Sequence, residues 1–273
     1  MSIGENIHRL RKAKGMTQAE LAEKLDVSFQ AVSSWERGEN TPDTDKLLPL
    51  ALVLDTTAGA LLDGQGMTWP LQDRLFDEER MYTFIQSAAL SRNLPQTLIA
   101  LPYARQNHLG QARKGSGNVP YINHPLTMVC HALAMGIDED EALAALLLHD
   151  VAEDCGIAPE DMPVNKRVQH IVRLVTKEAD KDYDDPAMQQ QYYDAIAQDG
   201  AACLVKLIDR CNNLSMMAAA FSRPKLASYM EETEQYILPL MEQIKNTSPQ
   251  YNNARFLLKY QMLSLMETVK RLL

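Results

Sequence analysis

The run EDEALAALLLHDVAED, residues 139–154, restricts the folds open to this chain more than any other stretch. Ala144, Ala145, Leu146, Leu147 and Leu148 make a helix that is apolar on every side, and such a helix is stable in water only when other elements surround it. His149 and Asp150 follow side by side, with Glu153 and Asp154 one turn later. Burying adjacent ionisable groups without compensation is costly. The helix is therefore expected at the centre of a bundle, with its polar end delivered to something that balances those charges.

Apolar residues recur at three and four in GENIHRLRKA, TQAELAEKL, DTDKLLPLALVL, VNKRVQHIVRLVTK and NNARFLLKYQMLSLMETVKRLL, while alternating strand patterns are nearly absent. The expected class is all-α: a small helix-turn-helix domain followed by a larger helical domain. Periodicity breaks in DGQGMTWPLQD, residues 63–73, at Gly64, Gly66 and Pro70. This gives a domain at 1–64, a linker at 65–78 and a second domain at 79–273. The four cysteines form no C-x-x-C pair and follow no secretory signal, so they read as reduced thiols. No run approaches the roughly 20 apolar residues that span a bilayer. A cytoplasmic protein without a membrane partner is expected. A net charge of −9 argues against a general polyanion binder, so any nucleic-acid contact must come from a local patch.

The stretch GMTQAELAEKLDVSFQAVSSWERGENTPD holds two short helices almost in contact along the chain. Thr17 can cap the first with Glu20 in the capping-box position, Asp26 and Val27 turn, and Ser28 caps the second, which runs through Val32 and Trp35. Over residues 4–64 the chain resembles the Cro and phage-repressor family. The likeness lies in the T-Q helix start, the A-x-x-L within it, the V-S turn, the W-E-R-G-x-x-x-P end and the following L-x-x-L-A. The resemblance implies double-stranded DNA as partner, with the second helix in the major groove. Gln18 would contact phosphate, Phe29, Gln30 and Ser33 would face the groove, and Arg37 and Asn40 would meet the backbone. Gln30 could pair with adenine N6 and N7. Against this, residues 1–64 carry seven Lys and Arg and ten Asp and Glu, with one basic run, RLRKAK. The same domain could instead serve protein contacts or dimerisation; on the DNA-binding reading, specific affinity would draw on a homodimer at paired half-sites.

In the larger domain RKGSGNVPYINHP ends in His124 and Pro125, and LVKLIDRCNNL carries Asp209 with Asn212 and Asn213 about one turn on. A histidine, a histidine–aspartate pair and an aspartate on separate helices suit a bundle core in which side chains converge on a metal. Imidazole with carboxylate fits manganese, iron or zinc better than calcium. His131 and His170 read as ordinary core or surface histidines.

Residues 80–240 resemble the HD-superfamily hydrolase domain of the RelA/SpoT family, on the combination HLGQARK, PYINHP, AALLLHDVAED, LVTK and VKLIDRCNNL. That family removes the 3′-pyrophosphate from guanosine tetra- or pentaphosphate, and the spacing between Arg113 and YINHP is most like the stand-alone small alarmone hydrolases. The resemblance implies that His124, His149, Asp150 and Asp209 hold Mn2+. It implies that Glu153 and Asp154 orient or deprotonate the attacking water. Arg113 would stack on the purine, Lys114 would meet phosphate and Asn213 would line the nucleotide pocket. These types suit the chemistry. A divalent ion acidifies water and neutralises phosphoryl oxygens, nearby carboxylates accept the proton, and Arg offers both a charged fork and a stacking face.

Ser215 and Met216 depart from the Arg and Thr common in the family, which opens the question of base selectivity. The tail after position 240 reads as a terminal helix, so nucleotide synthesis is not expected. Two other readings stand beside hydrolysis. One is a nucleotide-sensing transcriptional regulator with little turnover; the other is an HD phosphohydrolase of another phosphorylated nucleotide such as NADPH. The retention of Glu153 and Asp154 with the full ligand set favours turnover.

Overall fold

Serine and threonine open the first helices. Ser2 Oγ accepts from Glu5 N at 3.3 Å while Ser2 N donates to Glu5 Oε2 at 2.7 Å, and Thr17 and Glu20 repeat the exchange at 3.2 and 2.7 Å. The computed structural model describes residues 2–56, 58–63, 77–113 and 119–271, and the chain divides into two compact units, Met1–Trp69 and Pro70–Leu273. All regular structure among the described residues is helical apart from one isolated bridge between Ala112 and Pro120.

The first unit contains α1 (Ile3–Ala13), α2 (Gln18–Leu25), α3 (Phe29–Glu36), α4 (Thr44–Val53) and α5 (Ala58–Asp63). Asp26, at φ 51°, ends α2 in the left-handed region, and Ser28 Oγ accepts from Ala31 N at 3.1 Å to start α3. This is the turn expected from the sequence. Ile7, Leu21, Val32, Leu50 and Leu61 are completely buried between the helices. A Cβ on Gly4 would lie 2.0 Å from Trp35 O, so glycine is what lets α1 cross α3 at backbone contact.

The second unit begins with α6 (Glu78–Arg92), α7 (Pro95–Asn107), α8 (Asn123–Ala134), α9 (Asp140–Leu148), α10 (Val151–Cys155) and α11 (Lys166–Val175). It continues with α12 (Pro186–Ala197), α13 (Gly200–Ala220), α14 (Arg223–Glu232), a π turn at Thr233–Ile237, α15 (Leu238–Thr247) and α16 (Asn252–Lys270). Residues 142–148 are completely buried, and α9 packs on α7, α8, α11 and α13. Each buried Leu contributes roughly 1.5–3 kcal/mol over an exposed one, which makes α9 the axle of the unit. Its start is fixed by Asp140, whose carboxylate accepts from Gln96 N and Thr97 N at 2.7 and 2.8 Å and so caps α7. Residues 65–76 of the expected linker lie outside the described residues, and Glu78 is already the first residue of α6.

One expectation is corrected. The run 140–154 is two helices, because the backbone leaves the α-helix at Asp150 (φ −96°, ψ −7°). There His149 Nδ1 donates to Leu146 O at 2.9 Å, a side-chain bond to a carbonyl at the end of α9. The break lets α9 stay apolar while α10 turns Glu153 and Asp154 toward a cavity.

Candidate metal centre and its cavity

His124 sits in the first turn of α8, His149 and Asp150 at the α9–α10 break, and Asp209 midway along α13. His124, His149 and Asp209 are buried and offer ligand atoms that all lie within 4.8 Å of one another. Asp209 Oδ1 is 3.3 Å from His124 Nε2 and 3.8 Å from His149 Nε2. Asp150 Oδ2 is 2.9 Å from His149 Nε2 and 3.6 Å from His124 Nε2, and it also accepts a short hydrogen bond from the Tyr121 hydroxyl.

The back of each imidazole decides what its front can do. Leu146 O can only accept, so His149 carries its proton on Nδ1. Asn212 Oδ1, 2.8 Å from His124 Nδ1, fixes the same tautomer there. In the neutral form both Nε2 lone pairs would point at the aspartates, and His149 Nε2 is a buried atom without an aligned hydrogen-bond partner. Burial works against charge on His149, yet Asp150 and Asp209 outweigh it and lift the imidazole to about 9, so Nε2 takes up a proton that a metal ion would have to displace. Burial likewise pushes Asp209 up, and Lys206 with the two histidines pulls it well below the ordinary carboxylate value. Two imidazole nitrogens and carboxylate oxygens in this arrangement fit a divalent transition metal.

A cavity of about 270 Å³ opens beside the cluster, and its wall includes Glu153, Asp154, Lys177, Lys206, Arg210 and Asn213. Lys177 N donates to Glu153 Oε1 at 2.5 Å, which steers that carboxylate. Burial raises the Glu153 and Asp154 carboxyls above their ordinary range, and the Asp150 charge raises both further. Asn213 Nδ2 donates to Asp209 Oδ1 at 2.6 Å and Lys206 Nζ lies 3.5 Å from Asp209 Oδ2. Glu232 Oε2 pairs with Arg210 at 2.9 Å, and Glu232 Oε1 lies 3.7 Å from Lys177. Burial lowers Lys177 from the ordinary lysine value, Glu232 opposes that shift, and the nearby Lys206 and Arg210 charges add to it.

The residues expected from the sequence thus gather at one place, with two exceptions. Arg113 is held by its backbone N to Val119 O at 3.0 Å and is not among the residues lining the cavity. Lys114 lies outside the described residues. Sequence reasoning missed Tyr121, Lys177, Lys206, Arg210, Asn212 and Glu232. Lys206 and Arg210 carried a signal, since they share a face of α13 with Asp209 and Asn213 at spacings of three and four.

On the first unit, Phe29, Gln30, Arg37 and Asn40 are exposed and Ser33 half-buried along α3 and its end. Gln18 Nε2 donates to Glu36 Oε2 at 2.8 Å. Glu36 is also bound by Arg11 at 2.5 and 2.8 Å and by His8 at 2.8 Å. Although burial pushes Glu36 up, these donors bring it down to about 2. Arg37 donates to Ser33 Oγ and pairs with Glu39 at 2.7 Å.

An all-helical domain that gathers two histidines and two aspartates at one point, next to a cavity lined by both charges, has the donor set of a divalent-metal site. More particularly, residues 100–240 match the HD domain family, just over half of the chain, and the chain belongs to that family; residues 7–61 match a helix-turn-helix family. The chain is 34% identical over 149 residues to the bifunctional (p)ppGpp synthase/hydrolase SpoT of Escherichia coli K12, a match that spans 52% of this chain and 20% of SpoT. It is 30% identical over 152 residues to the guanosine-3′,5′-bis(diphosphate) 3′-pyrophosphohydrolase MESH1 of Mus musculus, spanning 52% of this chain and 83% of MESH1. Its fold resembles the solved structure of a metazoan SpoT orthologue that hydrolyses ppGpp, with a TM-score of 0.52 at 22% identity over 63% of this chain and 94% of that one. No helix among the described residues is long and apolar enough to cross a membrane.

Proposed function

We propose that this protein is a manganese-dependent hydrolase of the 3′-pyrophosphate of guanosine tetra- or pentaphosphate, joined to a DNA-binding domain. The observation that carries the reading is the convergence of two bare Nε2 atoms and Asp209 within 4.8 Å, beside a cavity that holds Glu153. His124, His149, Asp150 and Asp209 would hold the ion, which would supply a Lewis acid to acidify water and offset phosphoryl charge. Glu153, steered by Lys177 N, takes the proton of the attacking water, and Asp154 orients that water. Asn213, Lys177, Lys206 and Arg210 face the phosphate end of the nucleotide. At about 270 Å³ the cavity is smaller than the ~300–1,000 Å³ of pockets that enclose a whole ligand, so the purine lies outside it, with Arg113 stacking on the base and Lys114 on phosphate. Attack by water leaves no covalent intermediate; the products are pyrophosphate and GDP or GTP.

In the same proposal residues 1–64 bind double-stranded DNA and residues 79–273 form the hydrolase. Phe29, Gln30 and Ser33 read the groove, while Gln18, through its second amide hydrogen, and Arg37 and Asn40 hold the backbone. The test is to incubate the purified protein with guanosine tetraphosphate, with manganese or with chelator, and to identify products by chromatography and mass. Pyrophosphate and GDP formed only with metal support the proposal. Tight binding without turnover replaces it by a sensor, and neither binding nor turnover removes the substrate.

A further inference from the structure

Helix α16 carries two apolar stripes. Ala254, Leu258, Met262, Met266 and Val269 are buried in the core. Phe256, Leu257, Tyr260 and Leu263 also recur at three and four, but they face outward and are 66%, 49%, 71% and 43% exposed. In a chain of which 23% of residues are charged, every exposed position of this helix from Asn253 to Ser264 is uncharged, a run of about three turns. The cations of this stretch are paired: Arg255 and Lys259 lie 3.8 and 2.5 Å from Glu242, the Lys259 side chain being 40% exposed. Next to the outer stripe runs a groove of about 490 Å³, with His131, Ala134 and Met135 of α8 on one side and Leu257, Tyr260 and Leu265 of α16 on the other.

We propose that this face of α16 and the groove beside it bind the same face of a second copy of the chain. Depletion of charge with exposed aromatic residues is the compositional mark of an interface centre. With aromatic side chains of ~150–250 Å² each, Phe256 and Tyr260 alone expose on the order of 250 Å². The two leucines and the groove walls bring each copy to roughly 500 Å², and two copies together to the ~1,000 Å² that a specific interface needs. Ridge and groove adjoin on one surface, so a two-fold axis can seat the ridge of each copy in the groove of the other, as an isologous dimer requires. Two copies of net charge −9 repel in general, and the uncharged exposed positions of this face add nothing to that repulsion.

The test is sedimentation equilibrium of the full chain from low to high micromolar concentration, beside the variants Tyr260→Asp, Gln261→Lys and Leu52→Asp. The wild type should have the mass of two copies. Tyr260→Asp and Gln261→Lys each put like charges near the axis twice over and should weaken association at least about a hundredfold. Tyr260 is exposed and Gln261 gives up only a 3.5 Å bond to Ser215 Oγ, so circular dichroism and Tm should be nearly unchanged; Gln261→Lys keeps the test intact if Tyr260→Asp disturbs the fold. Leu52→Asp, in a separate exposed apolar patch of the first unit, should leave the dimer unaltered. A wild type that stays monomeric throughout overturns the proposal. So does a dimer that Gln261→Lys leaves intact, or one that only Leu52→Asp dissolves.

Discussion

Replacing Glu232 by Gln tests the electrostatic frame of the cavity. Arg210 is nearly sealed from solvent, with its side chain 4% exposed, and Glu232 is 16% exposed. Arg210 also donates to Tyr193 Oη and Thr233 Oγ1, both at 3.2 Å, and its guanidinium lies 3.8 Å from the centre of the Tyr229 ring. Tyr193 Oη in turn donates to Glu232 Oε1 at 2.7 Å. Burial raises the Glu232 carboxyl, but Arg210, Tyr193 and Lys177 more than reverse this and bring it from 4.5 to about 2. At 1.36 kcal/mol per unit, the ionised form stabilises the fold by about 3 kcal/mol at neutral pH. That matches the lower end of the ~3–5 kcal/mol lost when one partner of a buried ion pair is removed. Because the folded value is depressed, this contribution is complete above about 4.5 and is lost as pH falls through about 2; at pH 3 less than half remains. Glu232→Gln keeps the shape and removes only the charge. In differential scanning calorimetry at pH 7 the transition of the larger unit should fall by about 6–12 °C, from roughly 2–4 °C per kcal/mol for a unit of this size. The deficit against wild type should shrink by about half at pH 3. A shift under about 2 °C at pH 7, or a deficit that does not change with pH, would refute the reasoning.

Asp209→Ala should abolish manganese binding and hydrolysis together, since Asp209 Oδ1 faces both imidazoles; unchanged occupancy in elemental analysis would remove it from the ligand set. Glu153→Gln should leave metal content unaltered and slow turnover by about 10²–10⁴-fold, the range for a lost general base, and wild-type rates would exclude that role. Gln30→Ala should weaken one DNA sequence by about 1–3 kcal/mol in a binding titration while sparing random duplex; equal loss on both would mean that Gln30 does not read bases.

The class of fold and the metal cluster were legible because each rests on local pattern. Capping residues Thr17 and Ser28 mark helix starts wherever they occur, and an α9 that is apolar on every side from Ala142 to Leu148 has only one environment in which it is stable. The H…HD…D set could be read since each histidine or aspartate borders an apolar run. The break between α9 and α10 was not legible, because nothing in HDVAED forbids a continuous helix. It arises from a tertiary demand, the turning of Glu153 and Asp154 to the cavity while Leu146 to Leu148 stay enclosed. Asn212 and Glu232 were missed for a similar reason. Asn212 adjoins Asn213 in sequence, yet only the crossing of α13 with α8 decides which of the two meets His124. Glu232 sits on α14 at a spacing from Arg210 that no helical period connects.

On the proposed function, the arrangement of charge in the cavity sets how an acidic chain would take a polyanionic substrate. Among the described residues its wall carries the carboxylates of Asp150, Glu153, Asp154, Asp209 and Glu232 against the cations Lys177, Lys206 and Arg210. Each cation already faces a carboxylate: Lys206 faces Asp209 at 3.5 Å, and Arg210 and Lys177 face Glu232 at 2.9 and 3.7 Å. Such a wall positions groups but offers no surplus positive charge to a polyphosphate. A divalent ion held between the imidazoles and aspartates would, on the proposed function, cancel that excess of carboxylates, which would make metal binding a condition for nucleotide binding as well as for hydrolysis.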